Sequence, residues 1–344
     1  MMRKSWIPSR GFWSLSLGLL ALAGLFISSL KGGAVSVSWW DLWQLLTQEY
    51  PSSPEAAIVS QLRLPRTLMA MVVGAVLALS GLVLQGVLRN PLASPSLLGI
   101  SSGGALGATS MIVASQALPW AHAGLVPLAA FLACLVSSFW MLSLARVDRR
   151  TDTGLLILGG VAINSLVGAA IGLFSFFADD AQLRSITFWS LGSVAGANWE
   201  QVLIVSLFSL PALLVLPWLG PALNALLLGE REAQFLGVPV ENLKRTILWL
   251  VSLALGAAVA YTGVIGFVGL VVPHLLRLAL GSDHRPLLPQ SCIYGACLLL
   301  ASDLLARTLA APLELPIGVV TGAIGSPYLL YLLRRAKQGG LRTD

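Results

Sequence analysis

Apolar residues run along this chain in long blocks, unlike the short alternation of half-buried strands or the one-faced period of soluble helices. Residues 11–30, 155–178 and 201–228 carry no charge, and 246–277 is interrupted only by His274 before closing on Arg277. A hydrocarbon core about 30 Å thick takes about 20 such residues per spanning helix. Cutting the chain at charge clusters and Pro/Gly breaks predicts ten spans. They begin near Gly11, Pro65, Ser96, Ala123, Gly154, Gln201, Thr246, Val264, Leu288 and Leu315. The eighth is short, and a glycine-rich turn around Gly263 and Gly266 joins it to the seventh. The expected fold class is an all-α polytopic membrane protein. Residues 1–344 form one transmembrane domain, with a sizeable cytoplasmic loop at about 219–245.

Composition supports a bilayer as the solvent. The chain is 56% apolar and 10% charged, with a mean hydropathy of +0.84, whereas soluble domains average about 25% charged residues. The net charge of +6 could suggest nucleic acid, but the basic residues sit at the ends of apolar runs and build no basic face. Cys134, Cys292 and Cys297 lie inside apolar segments without a C-x-x-C spacing, so they read as small core side chains and not as metal ligands or a disulfide framework. Residues 1–10 are basic and precede the run 11–30, as in a signal peptide. That run is about twice the length of an ordinary h-region, which favours an uncleaved first span.

Ten spans put both termini on one side. With that side cytoplasmic, Arg3, Lys4, Arg10, Arg89, Arg146, Arg149, Arg150, Arg231, Lys244, Arg245, Arg277, Arg285, Arg334, Arg335, Lys337 and Arg342 lie inside. Only Lys31, Arg63, Arg66, Arg184 and Arg307 lie outside. The excess obeys the positive-inside rule and supports this count and orientation, and the expected location is a bacterial inner membrane. The outside arginines are the exceptions that need a reason, either snorkelling at the interface or a functional role.

Two stretches repeat at an offset of 182 residues. Gly74-Ala75-x-x-Ala78-x-Ser80-Gly81 matches Gly256-Ala257-x-x-Ala260-x-Thr262-Gly263, and Pro91 falls on Pro273. In the ten-span order the two run in opposite directions, as the inverted repeats of transporters do. The small-residue series Gly99/Gly103/Gly107 and Gly168/Gly172 are expected to form close helix contacts, and Gln85, Asn164 and Ser165 to join helices by hydrogen bonds.

Catalytic chemistry finds no foothold. The chain has no G-x-x-x-x-G-K-[ST] phosphate loop, no H-E-x-x-H and no G-x-S-x-G, so ATP hydrolysis would belong to separate subunits. Asp303, Glu314 and His274 are the few ionisable candidates near span ends. In the 219–245 loop, the charges Glu230, Arg231 and Glu232 precede Ala233, Phe235 and Leu236, and a Gly237-Val-Pro stop follows. This predicts a short amphipathic helix outside the membrane, with apolar residues that need a cover.

Together these residues resemble a known family. Arg63-Leu-Pro-Arg66-Thr67, Gly81-x-x-x-Gln85 and Asn90-Pro91-Leu92-Ala93-x-Pro95 are similar to the permeases of type II ABC importers for cobalamin, ferric siderophores and haem. So are Gly263-x-Ile265-Gly266-Phe267-x-Gly269-Leu270-x-x-Pro273-His274, Asp283-His284-Arg285 and Glu314-Leu315-Pro316-Ile317-Gly318. The resemblance implies a ten-helix permease fold and a path at the interface with a second permease subunit, identical or paralogous. It also implies two cytoplasmic ATPase subunits carrying ATP and Mg, and a periplasmic substrate-binding protein. No cofactor, metal or nucleic acid is expected on this chain. By matching positions, Arg63, Arg66 and Arg307 would dock the binding protein. Gly229, Glu230, Arg231, Ala233, Phe235, Leu236 and Gly237 would couple to the ATPases. Asn90, Leu92, Asp152 and Thr153 would narrow the path on the cytoplasmic side, and the span at 154–177 would line it. The alternative is a secondary, ion-coupled transporter of inverted-repeat architecture. The ligand does not follow from the sequence.

Overall fold

The computed structural model describes residues 10–33, 37–40, 43, 54–118, 121–147 and 150–339. The basic residues Arg3, Lys4, Arg149 and Arg342 of the topology argument therefore lie outside the described residues. Among the described residues the regular structure is helical, apart from one two-stranded hairpin.

Helix α1 (Arg10–Lys31) is followed by a short α2 (Pro54–Ile58), which passes through a π-helical turn (Val59–Arg63) directly into α3 (Leu64–Val87). Next come α4 (Ile100–Ala117) and α5 (Val126–Leu144), then the hairpin β1 (Arg146–Val147) and β2 (Arg150–Thr151), then α6 (Thr153–Phe177). The second half holds α7 (Asp180–Leu191), α8 (Trp199–Val215), α9 (Gly220–Leu228), α10 (Glu230–Phe235), α11 (Val240–Thr262), α12 (Val268–Leu280), α13 (His284–Thr308) and α14 (Ile317–Gly339).

Seven helical stretches among the described residues are long and apolar enough to cross a bilayer, and three apolar helices, within α4, α12 and α14, are shorter. Most of their starts fall within a few residues of the expected positions, whereas the stretch containing α3 begins at Pro54, ahead of the expected Pro65. Two elements differ from the sequence reading. A polar helix, α7, occupies the stretch read as a plain connection, because Asp179 and Gln182 form a reciprocal capping box that starts it. The loop expected at 219–245 is also largely helical. Pro217 and Pro221 only break the apolar run into a 3-10 turn (Leu216–Leu219) and α9, and α11 already starts at Val240.

The core forms around α3. Every residue from Val73 to Val87 is buried, as expected of a helix apolar all round. Two glycines allow its neighbours to approach. A Cβ on Gly74 would strike the carbonyl oxygen of Gly295 in α13, and one on Gly81 would strike that of Gly269 in α12. Both close crossings are small-residue packing of the kind that replaces the hydrophobic drive within lipid. In the other half, Gly263 sits at φ +68° with its α-carbon against the Trp189 carbonyl. Phe267, which is not a glycine, also takes a left-handed φ of +68°, a conformation costing roughly 1–2 kcal/mol, and its ring packs on Gly325 of α14.

The outer helices leave apolar side chains uncovered. On α6, Leu158, Val161, Leu166, Leu173, Phe176 and Phe177 are exposed. Gly159, Gly168 and Gly172 have open space where a Cβ would be. The expectation that Gly168 and Gly172 make a helix contact is therefore not met within the chain. The Gly103/Gly107 pair does meet it, against the backbone carbonyls of Ala133 and Ala129 in α5.

Candidate functional site

Functional side chains collect at the two ends of the bundle. At the end where α1 stops and α3 starts, Arg63, Arg66 and Arg307 surround one cavity of about 350 Å³, together with Leu62, Ala195 and Glu314. The π turn Val59–Arg63 rotates Arg63 inward, where its Nη1 donates to the carbonyls of Leu30 and Lys31 at 2.8 Å each. These are the orphan carbonyls at the end of α1. Arg66 Nε and Nη2 donate to Asp303 Oδ1 at 3.0 and 2.9 Å, and its Nη1 bonds both oxygens of Glu314 at 2.9 Å. Arg307 Nη2 donates to the Ser29 carbonyl and hydroxyl at 2.7 Å, while its Nε lies 3.7 Å from Asp303.

The sequence reading expects these arginines to face outward, and the structure gathers them around one cavity in a paired state. All three share one rim, yet Arg63 and Arg307 are only 6% and 7% exposed, and every guanidinium already has partners inside the chain. The exposed member is Glu314. Desolvation explains this, because a guanidinium sunk below the surface must be paired to be tolerated.

The opposite end holds the remaining candidates. Arg89 takes a left-handed φ of +48° after α3, and Asn90 then closes the turn, its Oδ1 accepting from the Leu92 amide at 2.9 Å. This is the Asx turn that an Asn-Pro pair favours. Asp152 caps α6, its Oδ1 accepting from the Leu155 amide, and Thr153 is the first helical residue. Arg89, Arg150, Asp152, Thr153 and Glu230 line one cleft of about 620 Å³. The structure therefore joins the region of the Asn90 turn, the start of α6 and the first residue of α10 in one place.

The amphipathic helix is present as α10. Gly229 (φ +137°) and Gly237 (φ +84°) bracket it in conformations suited to glycine. Ala233 packs inward with Leu226 and Val240, whereas Arg231 and Leu236 are exposed and Phe235 is 90% exposed.

Several residues escaped the sequence reading. Lys244, counted there only as a basic residue inside, is completely buried and bonded to Glu230 and to the Thr151 carbonyl. Glu241 holds Thr151. Asn224 of α9 donates to Asp283 and accepts from the His284 amide, tying α9 to α13. The Arg285 amide and the Asn224 side chain hold the Asp283 carboxyl below its usual pKa. Gln85 bridges α12 as expected, donating to the Gly269 carbonyl and accepting from Arg277 at 2.5 Å. Asn164 likewise joins α6 to the Ser96 carbonyl and to Ser102. Ser165 only bonds back to Val161 in its own helix. For Lys244 and Glu241 the available signal was their i, i+3 spacing in the first turns of an apolar helix.

The first and last described helices, α1 and α14, run in opposite directions through the bundle. The start of α1 bonds to Gln290, early in α13. The start of α14 bonds to Gly192 at the opposite end and runs back past His274. Long apolar helices, a polar cleft at one end and a charged rim at the other describe an integral membrane transport protein without an evident catalytic centre among the described residues.

Comparison with known proteins gives the family. Residues 20–335 match the FecCD transport family, and the chain belongs to it. It is 44% identical over 325 residues to the hemin transport system permease protein HmuU of Yersinia pestis, covering 93% of this chain and 95% of that protein. It is also 44% identical over 286 residues to the vitamin B12 import system permease protein BtuC of Vibrio vulnificus, covering 83% of this chain and 85% of that one. Its fold matches a metal-chelate type ABC transporter solved in an inward-facing conformation, with a TM-score of 0.81 at 33% identity over 93% of this chain and 98% of that chain. The chain is thus a permease of the type II ABC importer class, and an ion-coupled secondary carrier is set aside.

Proposed function

We propose that this chain is the transmembrane subunit of an ATP-driven, binding-protein-dependent importer of an iron chelate (a ferric siderophore or haem) or cobalamin. It works in a bacterial inner membrane with ten spans and both termini cytoplasmic. The observation that carries the reading is the cleft joining α10 to the start of α6, beside the uncovered Phe235 and Leu236. A helix that keeps a phenylalanine in water needs a partner, and a cytoplasmic ATPase subunit supplies one. Gly229, Glu230, Arg231, Ala233, Phe235, Leu236 and Gly237 form that coupling segment, and Asn90, Leu92, Asp152 and Thr153 form the gate next to it.

The path runs between this subunit and a second permease subunit. The open glycines and bare apolar wall of α6 support this, since such a face offers a conduit and no tight site. The periplasmic binding protein docks on the rim of Arg63, Arg66 and Arg307. Because Arg63 and Arg307 are occupied inside the chain, Arg66 is the one that meets an incoming carboxylate, by exchange with the exposed Glu314. ATP and Mg bind on the partner ATPases, and the permease itself holds no cofactor. Differential contacts in the two access states carry the coupling energy.

Reconstitution in proteoliposomes tests this reading. Uptake of labelled haem, ferric siderophore or cobalamin is expected only with the ATPase subunits, the binding protein and Mg-ATP together. Uptake that persists without the ATPase subunits overturns it.

A further inference from the structure

The chain connects α10 to the start of α6 by no short covalent route, because Thr151 and Glu230 are separated in sequence by the four helices α6 to α9. A single buried ammonium connects them in space. Lys244 Nζ donates to Glu230 Oε1 at 2.7 Å, at the start of α10, and to the Thr151 carbonyl at 2.8 Å, at the end of β2. Its side chain is fully buried.

One turn earlier on the same face of α11, Glu241 accepts from the Thr151 amide at 2.9 Å and from its hydroxyl at 2.5 Å. Thr151 is thus held through its N–H, its C=O and its Oγ1 by residues at i and i+3 of one helix. The next residue, Asp152, caps α6. The hairpin closes behind it, through the Asp152 amide to the Ala145 carbonyl.

We infer that Lys244 is the positioning residue that transmits displacement of the 229–237 segment to the first turn of α6. This rests on the importer reading above and adds the route by which the motor's movement reaches the gate. A buried ammonium is tolerated only while its partners stay in place. When Glu230 moves, Lys244 must follow it or lose half of its bonding, and Thr151 and the cap of α6 move with Lys244. Val240 and Ala233 pack together beneath this link and keep the lever short. A linkage with two discrete arrangements is the physical requirement for coupling across packed elements.

The test uses the assembled transporter in nanodiscs. Lys244→Met keeps the length and apolar stem and removes the ammonium. In the wild-type complex, trapping the nucleotide-bound state should change amide hydrogen exchange in both 229–237 and 151–156. In Lys244→Met the change should stay confined to 229–237, and uptake per ATP hydrolysed should fall roughly tenfold, within the usual range of coupling between sites. If Lys244→Met does not assemble, Glu230→Leu, which removes the acceptor oxygens, severs the same link from the other side and should show the same confinement with a smaller loss.

A response at 151–156 that survives in the variant overturns the inference. So does a proportional loss of uptake and hydrolysis, which marks a purely structural lysine. Wild-type uptake that needs no ATP overturns the importer reading instead, and is seen before any variant is made.

Discussion

Arg66 and Asp303 meet at the rim of the bundle although they lie 237 residues apart in sequence, with Nε and Nη2 of Arg66 both on Oδ1. Asp303 is 1% exposed, and Arg307 approaches its second oxygen from one turn further along α13. The pair locks α3 against α13 at the rim, while Arg307 and Arg63 fasten the end of α1 to the same place. The rim is therefore first a structural lock. Only its outermost carboxylate, Glu314, is open to exchange.

Removing the buried partner should be costly. Asp303→Asn leaves two sunken guanidiniums short of a counter-charge, and breaking such a pair typically costs about 3–5 kcal/mol. Glu314→Gln, at a side chain 45% exposed, should cost under about 1 kcal/mol. Thermal unfolding of the detergent-solubilised subunit compares them, and equal losses would show that the Asp303 contact is not the lock.

Glu314 should also compete with the incoming binding protein. Glu314→Gln removes the negative charge that repels an incoming carboxylate and loosens the hold on Arg66 Nη1 while the Asp303 bonds remain, so affinity for an acidic binding-protein surface should rise a few-fold, chiefly through association rate at low salt. Surface plasmon resonance against the cognate binding protein measures this. A drop in affinity would mean that Glu314 itself is the docking group.

The glycines divide into two classes with opposite outcomes. Gly81→Ala drives a methyl into the Gly269 backbone and should destabilise the subunit by at least about 1–3 kcal/mol, the usual cost of overpacking. Gly168→Ala meets open space and should raise the stability of the isolated subunit by up to about 1 kcal/mol, from helix propensity. If α6 lines the path, the same change should lower uptake. Unfolding midpoints and uptake rates of both variants check these signs.

Phe235 is exposed to 90% and makes no core. Phe235→Ser should leave the unfolding midpoint of the permease unchanged and weaken its association with the ATPase subunits by about thirtyfold or more, as loss of a central aromatic anchor does (about 2 kcal/mol or greater). Unchanged association would move the coupling contact elsewhere.

Much of this molecule was legible before any fold was known, and the reasons differ by residue. The spans follow from local composition, because every 20-residue apolar block must satisfy its backbone internally as a helix. The Asn90 turn, the Asp152 cap and the Gly229 and Gly237 brackets are likewise local, each fixed by two to four neighbouring residues. The helix α7 was missed because its 12 polar and apolar residues carry no spanning signal, and only the Asp179/Gln182 box announces it.

By itself the sequence determined that this is a membrane permease, the approximate positions of its long apolar helices and which end of each carries charge. Those properties depend on composition and on contacts a few residues apart. The tertiary structure alone decided what the charges do. It turned Arg63, Arg66 and Arg307 from free outward cations into members of a paired lock, and it made Lys244 a buried link between α10 and α6. Both outcomes need partners 14 to 278 residues away. Whether a buried charge finds such a partner is set by helix packing, and no periodicity along the chain encodes it.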